Sequence, residues 1–362
     1  MVNSMSNLKL DKKFLIIVGC LILVPLLLIV FLVLAQGCTN KKNSYSKYEF
    51  KMESAAKKYL TKIDNVPSED GEYIVVDLNT LVENSYITSP KKALNDSTCT
   101  GYISARKEGK VSYVAVLNCD GYRTNTLSEA LKKDLTTDSE GLYKTNDGYV
   151  FRGLNVNNYL TLGGVKYRIM GITNTNAVKA YKVESENIHI RWDYKYNVTT
   201  KAYSGINIYK DSNILERLND IYATDAKIIK IKSHLVPVDV CVHSVSKDVR
   251  TLNNSTCKEK LENQYITLMG MDDFVKASLD PNCIDMYSKS CVNYNYIGRT
   301  GMYTWTKDIV ADNNYQSYYL DNGIPHAEDV GLYYGYHIVL HLNGDEIVQS
   351  GNGTKKTPYV IK

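Results

Sequence analysis

Leu160-Thr-Leu-Gly-Gly-Val-Lys-Tyr-Arg-Ile-Met-Gly-Ile172 decides the fold of the larger part of this chain. Two apolar runs flank Gly163-Gly164, a pair that adopts positive φ at little steric cost and so predicts a tight β-hairpin. Working outward, Val178 to Val183 reads as a third strand, and Met302 to Thr306, Tyr336 to Leu342 and Tyr359 to Ile361 as later ones. Asp211 should cap a helix with Ile214, Leu215, Leu218, Ile221 and Tyr222 on one face, and Asp272 to Leu279 a second that stops before Pro281. Strands and helices mixed in this way predict an α+β domain over 145–362.

Upstream lies a different kind of segment. Phe14 to Leu34 is an unbroken apolar run of 21 residues, 18 of them Leu, Ile, Val or Phe. At about 1.5 Å per residue it matches the roughly 30 Å of a bilayer's hydrocarbon core. The expectation is a transmembrane anchor over 14–36 behind a cytoplasmic tail, 1–13, with the membrane as partner through the anchor. Ala35-Gln36-Gly37 offers a small-x-small cleavage site, and Leu34 to Cys38 a lipidation box with Cys38 as acceptor. An apolar core longer than that of a signal peptide favours the retained anchor. Lysines lie on both sides of it, so charge alone does not orient it.

Six cysteines after Cys38 fall into close pairs, Cys99/Cys119, Cys241/Cys257 and Cys283/Cys291, as disulfides of an oxidising compartment do. This places residues 38–362 outside the cell membrane. Six cysteines allow 15 connectivities. One pair has geometric support, because Cys99 and Cys119 are equidistant from Gly109 in two alternating runs that read as a hairpin. Zinc would need CxxC or clustered Cys/His spacings, which are not found.

Ser46 and Glu49 form a capping box, and Tyr48, Met52, Ala55, Ala56, Tyr59 and Ile63 recur at helical spacing, predicting an amphipathic stalk helix over 44–64. A small α+β module follows over 65–126, with a short helix from Asp77 that buries Leu78, Leu81 and Val82, and then the stapled hairpin. Residues 127–144, polar and without a clear period beyond Leu135, read as a linker.

Composition is that of a folded chain, 44% hydrophobic and 23% charged. A net charge of +4 creates no field that would favour nucleic acid, so no nucleic-acid partner is expected. Tyrosine is the outlier, with 30 residues against 5 Phe and 2 Trp. AT-rich codon bias accounts for that, or a tyrosine-lined binding surface does.

Asn157-Asn-Tyr-Leu160, Tyr167 to Ile172, the isolated Trp192, Ile266-Thr-Leu-Met-Gly270, the Cys283/Cys291 pair, Tyr303-Thr-Trp-Thr306 and the ending Ser350 to Ile361 together resemble uncharacterised surface proteins of low-GC Gram-positive bacteria. The order of elements in that family is similar to the C-type-lectin and formylglycine-generating-enzyme fold. The chain departs from the family at His337-Ile-Val339, where Arg-Pro-Val is usual. The N-terminal third resembles pilins and pseudopilins in layout, without their cleavage box.

Few residues point to catalysis. His337 and His341 would share a strand face at a spacing suited to two metal ligands, and His234 and His243 flank Cys241. Structural histidines and a paired Cys241 are the plainer reading. The chemistry of formylglycine-generating enzymes needs free thiols, which three bridges would consume. Asp312, Asn314, Asp321, Glu328 and Asp329 gather oxygen ligands in loops where C-type lectins bind calcium, so calcium is the one candidate cofactor. The resulting expectation is a single-pass, non-enzymatic surface protein that binds a glycan or a protein ligand. A pilin-like structural subunit and a formylglycine-generating-type enzyme are the alternatives.

Overall fold

The structure, a computed structural model, describes residues 44–69, 72–108, 110–186, 189–246, 256–280, 283, 291–292, 294–297 and 303–361. It is mixed α+β with strand predominating. The expected transmembrane helix is corrected: no helix among the described residues is long and apolar enough to cross a membrane. Residues 14–36 and Cys38 lie outside the described residues.

Contacts divide the chain into two compact units. The first takes residues up to Asn65, Val75–Ile103 and Leu117–Tyr122; the second takes Val66–Ile74, Ser104–Val116 and everything from Arg123 onward. In the first unit a helix over 44–62 buries Tyr48, Met52, Ala55 and Ala56 of the predicted stripe, with Leu60 in addition, while Tyr59 is half-buried and Ile63 exposed. The helix already includes Ser46, so the capping box is not its start. Tyr48 donates to the Thr88 carbonyl at 2.7 Å and Tyr45 to Asp96 Oδ2 at 2.7 Å, which satisfies both buried hydroxyls. The short helix Leu78–Glu83 is capped by Asp77, whose carboxylate accepts from the Asn79 N–H, and it buries Leu78 and Leu81. Cys99 and Cys119 are bridged at the base of the Thr100–Glu108 and Lys110–Cys119 pair.

The second unit is built on two sheets. A nine-stranded sheet runs Ile266–Thr267, Val339–Asn343, Ala177–Lys182, Val165–Thr173, Tyr159–Leu162, Tyr359–Ile361, Val348–Ser350, and Gly148–Arg152 joins it beside Val165–Thr173 with Gly141–Thr145 behind. The Leu162/Val165 pair closes the expected hairpin, and Gly163 and Gly164 both have positive φ, +57° and +78°, as a primed turn requires. A five-stranded sheet runs Thr256–Gln264, Val238–Val245, Thr304–Val310, Gln316–Asp321, Ile324–Asp329. Helix Asn213–Thr224, capped by Ser212 rather than Asp211, buries Ile214, Leu215, Leu218 and Ile221.

Residues 127–144, read from sequence as a linker, contain the helix Leu127–Leu131 and the start of the Gly141–Thr145 strand. Leu127, Ala130, Leu131 and Leu142 are buried in the main hydrophobic core, so the stretch is core rather than tether. Two buried tryptophans tie loop to sheet, Trp192 Nε1 donating to the Thr306 carbonyl at 2.9 Å and Trp305 Nε1 to the Ile190 carbonyl at 3.0 Å. Arg168 is clamped between the rings of Tyr159 and Tyr296, each 4.5 Å away, and donates to Asn158 Oδ1 at 2.9 Å. The Asn157 to Ile172 motif is thereby accounted for as packing.

Candidate functional site

A cavity of about 490 Å³ opens in the second unit, between residues of both sheets and the helix Met271–Lys276. Its lining includes the apolar residues Tyr149, Val150, Met170, Ile172 and Val240. The lining also carries fixed charge from Lys179, His243, Asp272, Asp273, Lys276 and Lys307, with His341 beside Lys179.

Lys307 and Asp308 sit side by side in Thr304–Val310, a strand whose seven residues are all buried. Burying charge is tolerated only where it is paired and hydrogen-bonded. Here Lys307 Nζ lies 3.1 Å from Asp308 Oδ1 and 3.4 Å from Asp272 Oδ1. Asp308 also accepts from the backbone N–H of His243 at 2.8 Å and of Met271 at 2.5 Å. Burial pushes the Asp308 carboxyl upward, but Lys307 and His243 outweigh it and hold it below the usual carboxylate range. The same contest, won by Lys307, Lys179 and Lys276, keeps Asp272 ionised.

His243 Nδ1 is 3.4 Å from Asp308 Oδ1 and 3.9 Å from Asp272 Oδ1. The adjacent Asp308 carboxylate raises its pKa against the opposing effect of burial. Lys179 grips both oxygens of Asp273 at 2.6 Å, and Asp273 in turn accepts from the Gly270 N–H at 2.8 Å, anchoring the helix start. Lys276 lies 3.5 Å from Asp272 Oδ2 and 3.7 Å from Asp147. His341, opposite Lys179 in the strand register, is buried, and its Nε2 is 3.3 Å from Thr267 Oγ1. Burial, reinforced by Lys179 and Lys307, pushes its pKa down to about 3, so the ring is neutral.

His243, Asp272 and Asp308 are close enough to share a metal ion. The ammonium of Lys307 already lies against both carboxylates, and an added divalent cation would face that fixed positive charge. The triad is therefore a cation-compensated network rather than a ready metal centre.

The five calcium candidates do not converge. Asp321 faces Ile324 at the hairpin end of its strand pair, whereas Asp329 faces Gln316 and Glu328 faces Ser317 near the other end. At about 3.3 Å per residue the two ends are too far apart for one ion. Asp312 accepts from Ser246, Asn314 donates to Thr199, Asp321 accepts from Asn322, and Asp329 accepts from Gln316. Glu328 accepts from the Asp329 N–H. These are turn and strand contacts.

His337 and His341 do not form a pair of ligands either: His337 Nδ1 is 2.8 Å from the Lys182 carbonyl and His341 meets Thr267. His234 contacts Glu346. All three cysteine pairs form disulfides as their spacing suggests, Cys99–Cys119, Cys241–Cys257 and Cys283–Cys291, and Cys241 lies in the cavity lining. Sequence alone points to His243 and His341 and to Asp272 only as a helix start; it gives no site role to Asp272, Asp308, Lys179 or Lys307. The legible signal is a Lys-Asp pair flanked by Trp305 and by Ile309-Val310.

Compared with protein-family profiles, with curated proteins and with solved structures, the chain matches none.

Proposed function

We propose that this chain is an extracytoplasmic recognition protein that binds a ligand, a glycan or a protein segment, in the cavity of its second unit, without transforming it. The observation that carries this reading is the state of the cavity's charges. Each is held by an internal partner, so the wall presents oriented polar groups that need no reorganisation when a ligand arrives, the condition that favours binding. A lining of apolar residues with a few polar groups, at this volume, is also the usual form of a ligand site. The three disulfides support an oxidising compartment. They also speak against thiol chemistry of the formylglycine-generating kind.

One experiment tests the reading directly. Thermal-shift screening of the purified chain against glycan and peptide panels should return hits, and hydrogen exchange should map the protection they cause to Val165–Thr173 and Val238–Val245. Hits that protect other segments would move the site elsewhere.

One observation favours a second reading. Asp308 orients His243 at the cavity as a carboxylate orients a general base, which suits proton transfer to or from a bound group. Under that reading His243→Gln abolishes turnover of a cavity ligand; under the first it changes affinity alone.

A further inference from the structure

We propose that the loop 194–208 is a membrane-surface contact, with Val198 and the loop's tyrosines entering the interfacial layer of an anionic bilayer while its lysines meet the headgroups. None of its residues lines the cavity, so this proposal stands or falls apart from the binding reading above.

Composition and exposure come first. Tyr194, Tyr196, Val198, Tyr203 and Ile208 are all exposed, Val198 by 79% and Tyr203 by 74%. Apolar residues scattered singly over a surface need no explanation, but several in one short loop mark an interaction surface. Residues 194–210 also hold Lys195, Lys201 and Lys210, each exposed, and no acidic residue. Asp193 and Glu259, whose carboxylates reach this stretch, are taken up by its backbone: Asp193 accepts from the Ile206 N–H at 2.8 Å, and Glu259 from the Tyr209 and Lys210 N–H groups at 2.9 and 2.8 Å. The ammonium of Lys195 meets the Asp211 carbonyl, whereas Lys201, in the turn itself, has no ion-pair partner among the described residues. Apolar surface with positive charge beside it is complementary to an anionic headgroup layer.

The loop is also built to hold that surface out. Asn197 and Ala202 bridge its two arms, and next to that bridge the rings of Tyr196 and Tyr203 meet edge to face at 5.3 Å. Buried Asn197 accepts from the Thr199 and Thr200 N–H groups at 2.9 and 3.3 Å and donates to the Gly205 carbonyl at 2.8 Å. Asn207, buried as well, donates to the Gln316 and Asn313 carbonyls at 2.8 and 2.9 Å and so fixes the base. The hydroxyls of the turn are paired too, Thr199 with Asn314 and Thr200 with Ser204. Polar groups already bonded within the protein lose little when water leaves, which is the condition for entering an apolar medium. Tyrosine, an apolar ring with a polar tip, suits the headgroup level.

The test uses the full chain carrying Val198→Trp, a position exposed enough to take the larger side chain without disturbing packing. It is placed on vesicles of phosphatidylcholine alone, or of phosphatidylcholine with phosphatidylglycerol, each with brominated acyl chains. The introduced indole should shift to the blue and be quenched on the anionic vesicles, and much less on the neutral ones. Trp192 and Trp305 are buried, and their emission is subtracted with the unsubstituted chain. Because the readout belongs to position 198, attachment of the chain through another segment does not register. Added to Val198→Trp, Lys201→Gln should lower the ratio of quenched to unquenched indole by about fivefold, the effect of one lysine at an anionic surface. Tyr203→Ser should lower it as well.

An indole that stays in water on both kinds of vesicle overturns the inference. Quenching that neither lipid charge nor these substitutions alter does the same. A blue shift without bromine quenching means that protein, a second copy of the chain included, covers the loop, and that outcome overturns it too.

Discussion

Lys307→Met tests the physical core of the site, because it keeps most of the apolar stem and removes only the ammonium. In the native chain that ammonium compensates Asp308, which is wholly buried, and Asp272, which is partly exposed. Removing one member of a buried ion pair typically costs about 3–5 kcal/mol. Asp308 keeps the N–H groups of His243 and Met271 and the imidazole of His243, and Asp272 keeps Lys276, so the loss should fall near the lower figure, about 3 kcal/mol. That is a large share of a total stability of about 5–15 kcal/mol. Urea unfolding followed by tryptophan fluorescence is well placed to measure it, since Trp305 is two residues away and Trp192 bonds to the Thr306 carbonyl. The pH dependence supplies a second readout. In the native chain both carboxyls are held low, so their contribution is present above the unfolded value of about 4 and is lost as pH falls through the lower folded values. Without Lys307, burial is no longer outweighed, the folded values rise, and protonation favours the folded variant. The stability gap between the two proteins should therefore narrow as pH falls from 7 to 5. A loss below about 1 kcal/mol, or a gap that does not change with pH, would refute the claim that Lys307 compensates these carboxylates.

Other consequences are equally direct. Gly171→Ala should destabilise the second unit by about 1–3 kcal/mol and weaken ligand binding, because the added Cβ would lie 2.1 Å from the Tyr149 carbonyl oxygen where the Gly148–Arg152 strand pairs at the cavity wall; a neutral result by urea titration would contradict that packing. Alkylation of the unfolded, unreduced chain should leave Cys99, Cys119, Cys241, Cys257, Cys283 and Cys291 unlabelled in a peptide mass map, and labelling of any one breaks its bridge. Cys119→Ser should cost about 3 kcal/mol, the chain-entropy value for a loop of this length, read as a lowered urea midpoint. Burial pushes His337 down to about 4 and His341 to about 3, so the unfolded chain takes up protons first, and stability should be highest above pH 6.5 and decline toward pH 4. His341→Phe should flatten that decline by up to one proton in the slope of unfolding free energy against pH, and an unchanged slope would show that the ring is not buried neutral.

Much of the architecture was legible because it is written locally. Gly163-Gly164 between apolar runs specifies a turn on steric grounds, the 213–224 helix shows its stripe, and the cysteine spacings match the observed bridges. The 127–144 stretch was misread because Leu127, Leu131 and Leu142 are too sparse for a periodic signal, and their burial comes from partners far along the chain. The site was hidden for the same reason. Lys179, His243, Asp272 and Lys307 come from four separate segments, and only tertiary pairing makes a solvated-looking charge into a buried one. The acidic loops that drew attention as calcium ligands are rich in turn-forming residues, whose oxygens are occupied locally.

Tyr359–Ile361 occupies an interior place in the nine-stranded sheet, parallel to Tyr159–Leu162 on one side and antiparallel to Val348–Ser350 on the other. Residues made some two hundred positions apart must meet before that seam can close. Until then the flank of Tyr159–Leu162 is an open strand edge, a template for pairing with a neighbouring chain. Order of synthesis thus sets a window of vulnerability for this protein, and removing the Tyr359–Ile361 strand after folding would reopen it.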